Sequence, residues 1–328
     1  MTGGPFPGGK RFAFTIMDDT DVATVENVQP IYRLLERLGM RTTKTVWAEA
    51  CPEGSPNFGT SQTLDDPEYR AFAQDLQQRG FEIAFHGATM ETSTRERTIA
   101  ALERFRSTFG DYPRVHANHA YNRENLYWGG ARIDLPELRL LWRLLDARPS
   151  DHYRGHCGDS PYWWGDLCAR HVTYVRNLTF NTLNVAGVNP SMPYHDPARP
   201  LVRWWFSAAD AEDADEFSEL LGDDQQERLE REGGVCIVAT HLGKGFAVDG
   251  RVHPLAARRL EALARRDGWF PTVGDLLDWL RARRGDGTLP RREWVAMQRR
   301  WALDLVRRKW RQRRALRRRS SPGGMLPA

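Results

Sequence analysis

Short apolar runs alternate with longer amphipathic segments along most of the chain. The runs are rich in β-branched and aromatic residues, which is typical of buried strands, and the segments between them repeat apolar residues at helical spacing. The predicted strands are 11–17, 42–47, 81–86, 114–119, 171–177, 202–206, 235–241 and 269–273. The predicted helices are 31–39, 66–80, 93–110, 254–266 and 274–285.

Strands that alternate with helices in this way form βα units, which place the strands side by side in a parallel sheet. Six to eight such units favour a closed (β/α) barrel, expected to be seven-stranded and distorted, although a doubly wound open sheet has the same local pattern. We predict a barrel over 11–285 after a disordered start at 1–10. Within it, about 120–200 is an irregular insertion rich in Trp, Tyr, Pro and Asn, and segments of that kind are usually functional.

Composition narrows the class of protein. The 328 residues are 41% hydrophobic and 27% charged, which is ordinary for a soluble globular protein. No apolar stretch approaches the roughly 20 residues of a membrane span, and the first residues lack the apolar core of a secretory signal. The four cysteines are scattered, without a Cys-x-x-Cys pair. This argues against a disulfide framework or a cysteine zinc site and for a reducing compartment, so we expect a cytoplasmic protein.

The last segment, 286–328, differs from the rest in charge. Between 291 and 319 there are 13 Lys or Arg residues against two acids, a local charge of +11 that leaves −7 for the remainder of a chain with net charge +4. The pattern predicts an amphipathic helix whose apolar side carries Trp294, Met297, Trp301 and Leu305. Such a helix is typical of peripheral anchors on the anionic inner face of a membrane, with a solvated extension as the alternative. Nucleic acid is not an expected partner, because the body is acidic.

Acidic and imidazole side chains follow four of the predicted strands. They are Asp18 and Asp19 after the first strand, His86 after the third, His116 and His119 in the fourth, and His241 at the end of 235–241. In a (β/α) barrel the carboxyl ends of the strands meet at one rim, where the chemistry lies. Mixed carboxylate and imidazole ligands suit a divalent metal such as zinc, with cobalt, nickel, manganese or iron as alternatives. A bound dication would also favour the ionised form of two adjacent carboxylates.

Each of these residues also has a plainer interpretation. A single His at a strand end is commonly a hydrogen-bonded core residue, and Asp19 or Asp21 could be the N-cap of the segment that starts at Val22. These explanations would have to hold independently at four strand ends. The sequence therefore favours a metal site.

In their order along the chain, these residues resemble the polysaccharide deacetylase family, the metal-dependent esterases and amidases of the chitooligosaccharide deacetylase homology domain. The family's Thr-Phe-Asp-Asp-Gly motif corresponds to TIMDDT at 15–20. Its His-(Ser/Thr)-x-x-His motif is matched by His86, with Met90 in the place of the second His, and its late Leu-x-His motif by His241. The resemblance covers about 10–283. It is most evident for a divergent branch associated with O-antigen gene clusters, through FHGAT, HANH, YWG, PYHDP and HLGKGF.

The resemblance implies a role for each matched residue: Asp18 as general base, Asp19 and His86 as metal ligands, and His241 as general acid. The implied reaction is hydrolysis of an N- or O-acyl group on a sugar of a cell-surface glycan or its precursor. A metal would polarise the acyl carbonyl, Asp18 would take a proton from water, and His241 would protonate the leaving group. A non-catalytic carbohydrate-binding or assembly protein on the same fold is the alternative.

The third metal ligand is left open, because the thioether of Met90 is a poor ligand for a hydrolytic dication. We predict His119 in this role, since it should project from the fourth strand toward the same rim. His116 faces the other side of a straight strand, and Asp21 is a further option.

Loop residues are predicted to contact the substrate. Aromatic rings in the insertion could stack on sugar rings or else cover the barrel mouth as a lid. The predicted contacts are Asn118, Arg123, Tyr127, Trp128, His195 and Lys244.

Overall fold

The computed structural model describes the backbone of residues 4–145, 148, 149 and 151–319, and their side chains except those of 309 and 311–319. Seven parallel strands follow one another in chain order around a barrel, and pairing between the first and the seventh closes it. The barrel strands are β1 (Phe12–Asp18), β2 (Thr43–Trp47), β3 (Glu82–Gly87), β4 (Val115–Ala117), β5 (Tyr174–Phe180), β6 (Trp204–Asp210) and β7 (Val235–Thr240). This closure excludes the open doubly wound sheet.

Three short strands complete the sheet structure of the described residues. Strands β8 (Ala247–Val248) and β9 (Arg251–Val252) form an antiparallel hairpin, and β10 (Gly268–Trp269) pairs with the start of β1. The strand predicted at 269–273 is thus reduced to two residues.

Helices surround the barrel and connect its strands. They are α1 (Val25–Arg37), α2 (Pro67–Gln78), α3 (Arg95–Phe109), α4 (Pro136–Leu145), α5 (Gly165–His171), α6 (Ala214–Leu220), α7 (Asp223–Arg231), α8 (Pro254–Ala264), α9 (Val273–Arg284) and α10 (Arg291–Arg319). The insertion predicted at about 120–200 contains α4, α5 and a 3-10 helix at Gly129–Arg132, and strand β5 also lies within its bounds.

The strands are buried because helices cover their outer faces and side chains fill the barrel. All seven residues of β1 and all five of β2 are buried. In β2 this includes Lys44, whose side chain has no exposed area. A fully buried lysine requires a partner charge, and the partner lies at the end of β1.

The C-terminal helix α10 packs on the barrel through its apolar side. Trp294, Met297 and Trp301 are buried, and the Trp301 ring stacks on Trp142 with 5.6 Å between centroids. Leu305 is partly buried against the same core. Because this side is covered by the protein itself, the predicted membrane contact is not supported. No helix in the described part of the chain is long and apolar enough to cross a membrane.

Residues 4–10, which belong to the segment predicted to be disordered, lie against the barrel. Phe6 is buried and lies on Trp279, with ring centroids 4.9 Å apart. A bridge between Phe6 and Lys10 and a 3-10 helix at Pro7–Gly9 shape this segment. The rest of that prediction, residues 1–3, lies outside the described residues.

Candidate active site

The carboxylate of Asp18, predicted as the general base, is fully buried and bonded on both oxygens. Lys44 Nζ donates to Oδ2 at 2.8 Å, and the Tyr32 hydroxyl donates to the same oxygen at 2.9 Å. The Leu242 N–H donates to Oδ1 at 2.8 Å. Burial alone would lower the pKa of Lys44, but Asp18 raises it. Asp18 is therefore half of an internal ion pair that ties β1 to β2 and to the loop after β7.

The neighbouring Asp19 turns into the barrel mouth and meets Arg176 of β5. Two guanidinium nitrogens donate to its two carboxylate oxygens at 2.7 and 2.5 Å. Burial alone would raise the pKa of Asp19, but Arg176, with help from His86 and His241, lowers it. Two different cations, Lys44 and Arg176, thus neutralise the adjacent carboxylates. Their proximity does not by itself require a metal.

Three imidazoles converge on Asp21, in the loop after β1. His86 Nε2 lies 3.5 Å from Asp21 Oδ1. The Nε2 atoms of His119 and His241 lie 3.5 and 3.4 Å from Oδ2. Burial alone would raise the pKa of Asp21, but the three imidazoles hold it well below its usual value. Asp21, rather than Asp19, is the carboxylate at the centre of the histidines.

The other ring nitrogen of each imidazole donates a hydrogen bond to an oxygen. The acceptors are the Ala117 carbonyl for His86 at 3.1 Å, the Asn122 side chain for His119 at 3.0 Å, and the Glu212 carbonyl for His241 at 2.8 Å. With Nδ1 protonated, each Nε2 either carries the second proton of an imidazolium or turns a lone pair toward Asp21. Burial opposes the imidazolium form, but Asp21 raises the pKa of His119 and raises that of His241 to about 9.

Two buried atoms at the centre, His86 Nε2 and Asp21 Oδ1, have no hydrogen-bond partner. Their separation is close to the roughly 3.4 Å between neighbouring ligands of a tetrahedral zinc ion with bonds of about 2.1 Å. Imidazoles held at Nδ1 by an acceptor are also typical of metal-ligating histidines. The donor chemistry therefore fits a divalent metal. As the side chains stand, no group of three His, Cys, Asp or Glu among the described residues is arranged to hold an ion, so the donors would have to close around it.

The loop backbone aims Asp21 at the imidazoles. Val22 takes a left-handed conformation with φ of 53°, which is unfavourable for a β-branched residue. Its N–H donates to Ser61 Oγ at 2.8 Å, and its carbonyl accepts from Asn27 at 2.8 Å. Gly243 packs directly on this loop, where a Cβ would lie 2.9 Å from the Val22 carbonyl oxygen. Such strain persists only where the surroundings impose it, and it is common at functional sites.

The cluster opens into a cavity of about 400 Å³ at the barrel mouth. Its lining includes Asp19, Asp21, His86, His119, Arg176 and His241. Tyr121 and Trp128 of the insertion form part of the wall. Lys244 also lines it, where its Nζ donates to Glu212 at 2.5 Å and lies 3.9 Å from Asp21 Oδ2. The cavity thus combines paired charges with aromatic surface.

Three of the predicted substrate contacts, Asn118, Trp128 and Lys244, line this cavity. The side chain of Asn118, however, both donates to and accepts from the Leu126 backbone at 3.0 Å, so its amide is already bonded. Trp128 carries the guanidinium of Arg132 over its ring at 4.0 Å. Asn118 is also buried, whereas Trp128 and Lys244 are partly exposed, so these two are better placed to meet a ligand.

Arg123, Tyr127 and His195 lie away from the cavity. The guanidinium of Arg123 stacks over the Tyr162 ring at 4.6 Å. Tyr127 is buried, and His195 stacks on Trp204 with 3.8 Å between centroids. These three side chains have structural contacts instead.

His116 and Met90 also lie outside the histidine cluster. His116 is buried and donates from Nδ1 to the Phe85 carbonyl at 2.9 Å, and burial lowers its pKa to about 3. Met90 lines a neighbouring cavity of about 600 Å³, which also touches Asp21 and His119. His119, and neither His116 nor Met90, therefore lies beside Asp21, where a third metal ligand is needed.

Sequence reasoning does not single out five charged residues of the site: Lys44, Arg176, Asp210, Glu212 and Arg308. Lys44 and Arg176 stand inside otherwise uncharged strands, and such a cation signals a buried acid partner. Asp210 ends β6 and Glu212 follows it, so the strand-end rule that points to the histidines also points to these two acids. Arg308 comes from α10, and no sequence pattern connects it to the barrel mouth.

No protein-family model and no curated protein sequence matches this chain. Several solved structures, however, are similar to it. A "putative polysaccharide deacetylase" from Mycobacterium smegmatis has a TM-score of 0.51 at 14% identity, over 89% of this chain and 98% of that one. A Puue allantoinase has a TM-score of 0.48 at 14% identity, over 85% and 93%. A "probable polysaccharide deacetylase" from Pseudomonas aeruginosa PAO1 has a TM-score of 0.48 at 14% identity, over 86% and 95%.

The likeness to the Mycobacterium protein shows a shared fold, at an identity too low to carry an activity across. The predicted fold class, a deacetylase-type (β/α) barrel of seven strands, is confirmed.

Proposed function

We propose that this protein is a metal-dependent hydrolase of the polysaccharide deacetylase family that removes an acyl group from a sugar. The observation that carries the proposal is the convergence of Asp21 with His86, His119 and His241 at the mouth of a deacetylase-type barrel. The printed name of the Mycobacterium structure supports an acylated carbohydrate as substrate. The Trp128 ring in the cavity wall suits a sugar face.

Asp21, His86 and His119 would hold the metal, which we propose to be zinc because of the mixed carboxylate and imidazole donors. Asp21 then takes the role that the resemblance implied for Asp19. His119 supplies the imidazole that is missing at Met90. The metal, when bound, would polarise the acyl carbonyl and lower the pKa of the attacking water.

Asp19 is better suited than Asp18 to accept the proton of that water. Asp19 lines the cavity, and the paired nitrogens of Arg176 orient its carboxylate and keep it ionised. Asp18 does not line the cavity, its side chain has no exposed area, and its Oδ2 is bonded to the buried Lys44. The proposed base is therefore one residue later than the resemblance implied.

His241 is positioned to protonate the leaving group. Its Nδ1 donates to the Glu212 carbonyl, and its Nε2 lies 3.4 Å from Asp21 Oδ2 in the cavity. In the proposed reaction the hydroxyl of water adds to the acyl carbon, and the acyl–N or acyl–O bond breaks. The departing amine or alkoxide takes its proton from the His241 imidazolium.

We also propose that the sugar belongs to a cell-surface glycan or its precursor and that the protein acts in the cytoplasm. The first part rests on the sequence resemblance to the O-antigen-associated branch. The second is supported by the four cysteines, which are all unpaired.

A carbohydrate-binding protein without hydrolysis is the second candidate. Two observations favour it. Met90 stands where the family has a histidine ligand, and no three possible metal ligands among the described residues are arranged to hold an ion. The two candidates differ in whether Asp21 and its histidines bind a metal.

The deciding experiment is metal content in protein purified without a histidine tag, with Asp21→Ala, His86→Ala and a control variant, His195→Ala. We expect about one ion per chain in the wild type and the control and none in the other two variants. Acyl release from acetylated sugars should follow the same order. If the wild-type protein contains no metal and binds none when zinc, cobalt or nickel is added, the carbohydrate-binding protein is favoured.

A further inference from the structure

The cluster of Asp21 and its histidines lies between two cavities at the barrel mouth. One is the active-site cavity of about 400 Å³, and the other is the neighbouring cavity of about 600 Å³. The residues that line both cavities are Asp21, His119, Tyr121 and Lys244. His241 lines the active-site cavity, whereas Met90 lines the neighbouring one. A ligand held beside Asp21 can therefore extend in two directions.

The proposed reaction needs two such directions, because the acyl carbon is bonded both to the leaving group and to the acyl chain. The leaving group takes its proton from His241, and proton transfer requires hydrogen-bond distance. The sugar must therefore lie on the side of His241, in the active-site cavity, where Trp128 also lies. The acyl chain points to the other side of the acyl carbon. That side is the neighbouring cavity, which Asp21 and His119 line without His241.

Two polar residues of the neighbouring cavity, Glu91 and Asn122, are already bonded within the protein. The Glu91 carboxylate accepts from the Asn57 side chain at 3.1 Å and from the Ser55 hydroxyl. The Asn122 amide donates to the Glu91 carbonyl at 3.0 Å and to the Glu124 carboxyl group at 2.9 Å. A ligand in this cavity therefore does not need to supply hydrogen-bond partners for them.

Apolar surface in this cavity comes from Val22, Met90 and Tyr121. Val22 and Met90 are partly exposed and Tyr121 is 64% exposed, so an apolar ligand can bury area on all three. The flexible thioether chain of a methionine also adapts to ligands of different shape. A methyl group has about the volume of a water molecule, which takes up about 30 Å³ in the liquid. The methyl group of an acetyl would therefore fill only a small part of the cavity of about 600 Å³.

We propose that the acyl group removed by this protein is longer than acetyl and that its chain lies in the cavity beside Met90. The sugar lies in the active-site cavity. Hydrolysis releases the chain as a carboxylic acid, and the sugar keeps the amine or hydroxyl group. Met90 is then a specificity-determining residue. The inference rests on the proposed function and names the class of its substrate.

The first test compares the hydrolysis of 4-nitrophenyl acetate, butanoate and hexanoate, which share a leaving group and differ only in the acyl chain. The full-length protein is assayed with added zinc, and hydrolysis that persists with a chelator is subtracted. We expect kcat/KM to rise by about tenfold from acetate to butanoate, because two methylene groups removed from water favour binding by about that factor. Hexanoate should be hydrolysed at least as efficiently as butanoate.

Met90→Trp tests the cavity, because the larger side chain should fill it. We expect the ratio of kcat/KM for hexanoate to kcat/KM for acetate to fall by about tenfold, as the contact with the chain is lost. The ratio is taken within one variant, so a change in the metal or the catalytic groups affects both of its members. The matched control is Trp128→Phe, which alters the active-site cavity and should keep the wild-type ratio.

Binding of the chain can be measured apart from hydrolysis. In protein labelled with carbon-13 at the methionine methyl groups, the Met90 signal is identified by its absence from Met90→Trp. This signal should shift when hexanoamide is added and should stay in place with acetamide at the same concentration.

The outcomes separate the inference from the proposed function. Faster hydrolysis of acetate than of butanoate, a ratio that Met90→Trp leaves unchanged, or a Met90 signal that hexanoamide does not shift would overturn the inference. Zinc-dependent hydrolysis of the acetate ester would still support the proposed function in those cases. If none of the three esters is hydrolysed with zinc, the result counts against the proposed function and removes the inference with it.

Discussion

Replacing Lys44 by Met tests whether the buried charges beneath the site are structural. The side chains of Lys44 and Asp18 both have no exposed area, and the ammonium nitrogen lies 2.8 Å from the carboxylate. Met keeps most of the side-chain volume but removes the charge. Asp18 would then remain buried with only the Tyr32 hydroxyl and the Leu242 N–H as donors.

The expected destabilisation is about 3–5 kcal/mol, because removing one partner of a buried ion pair leaves an uncompensated charge. That is a large fraction of the roughly 5–15 kcal/mol by which domains are stable. Adding Asp18→Asn to Lys44→Met should recover part of the loss, since the amide carries no charge, its oxygen can still accept from the Leu242 N–H, and its NH2 group can donate to the Tyr32 hydroxyl oxygen. The double variant should therefore be more stable than Lys44→Met alone.

The assay is the free energy of unfolding at pH 7 from urea titration, followed by activity per folded molecule. Arg95→Met serves as the control, because Arg95 and Asp166 form a partly exposed pair whose loss should cost at most about 1 kcal/mol. If the folded double variant keeps its metal and loses all activity, Asp18 is the base and our assignment to Asp19 is wrong. If Lys44→Met costs no more than the control, the buried pair of Lys44 and Asp18 does not stabilise the barrel.

Three further substitutions test the surroundings of the cluster. Gly243→Ala would place a Cβ 2.9 Å from the Val22 carbonyl oxygen, so the loop should shift and kcat/KM should fall by about 100-fold. Asn122→Ala removes the acceptor for His119 Nδ1 and should raise the metal dissociation constant by about 10- to 100-fold. A competition with a chelator measures this constant, and an unchanged value would show that Asn122 does not orient His119. Burial raises the pKa of Glu124 to about 7 from 4.5, so its contribution to stability is full below pH 4.5 and is lost as the pH rises through 7. Relative to Glu124→Gln, the wild type should lose up to about 3 kcal/mol over that range in urea titrations, and parallel pH profiles would refute the assignment.

Most of the barrel architecture can be predicted from the sequence, because strands and helices are specified by local patterns of apolar and polar residues. Uninterrupted apolar runs followed by amphipathic segments require βα units, whatever lies far away in the chain. The strand-end rule brings His86, His119 and His241 to one rim, where the structure places all three in one cavity. The apolar side of α10 is also readable, but the sequence does not say what covers it. A helix of the same pattern could lie on a membrane or, as here, on its own barrel.

The sequence does not show which carboxylate faces the histidines, because this depends on pairings between residues that are distant in the chain. TIMDDTD presents three acids within four positions, and motif matching assigns roles by order alone. The structure distributes them by partner: Asp18 meets Lys44 from β2, and Asp19 meets Arg176 from β5. Asp21 is carried to the histidines by a strained turn. Local sequence does not encode that turn, since φ near 53° is unfavourable for the residue that adopts it.

This distribution explains how three acids can share one strand end. Asp18 and Lys44 form a neutral pair inside the barrel, so together they contribute little to the electrostatic potential at the barrel mouth. Asp19 is neutralised by Arg176 but remains in the cavity, where it stays ionised and oriented. Only Asp21 lacks a dedicated Lys or Arg partner at hydrogen-bond distance, since Lys44 and Arg176 are taken and the nearest ammonium group is 3.9 Å away. The imidazoles, or a cation held between them and Asp21, complete its charge balance, which makes Asp21 the acid whose removal should disrupt the site most.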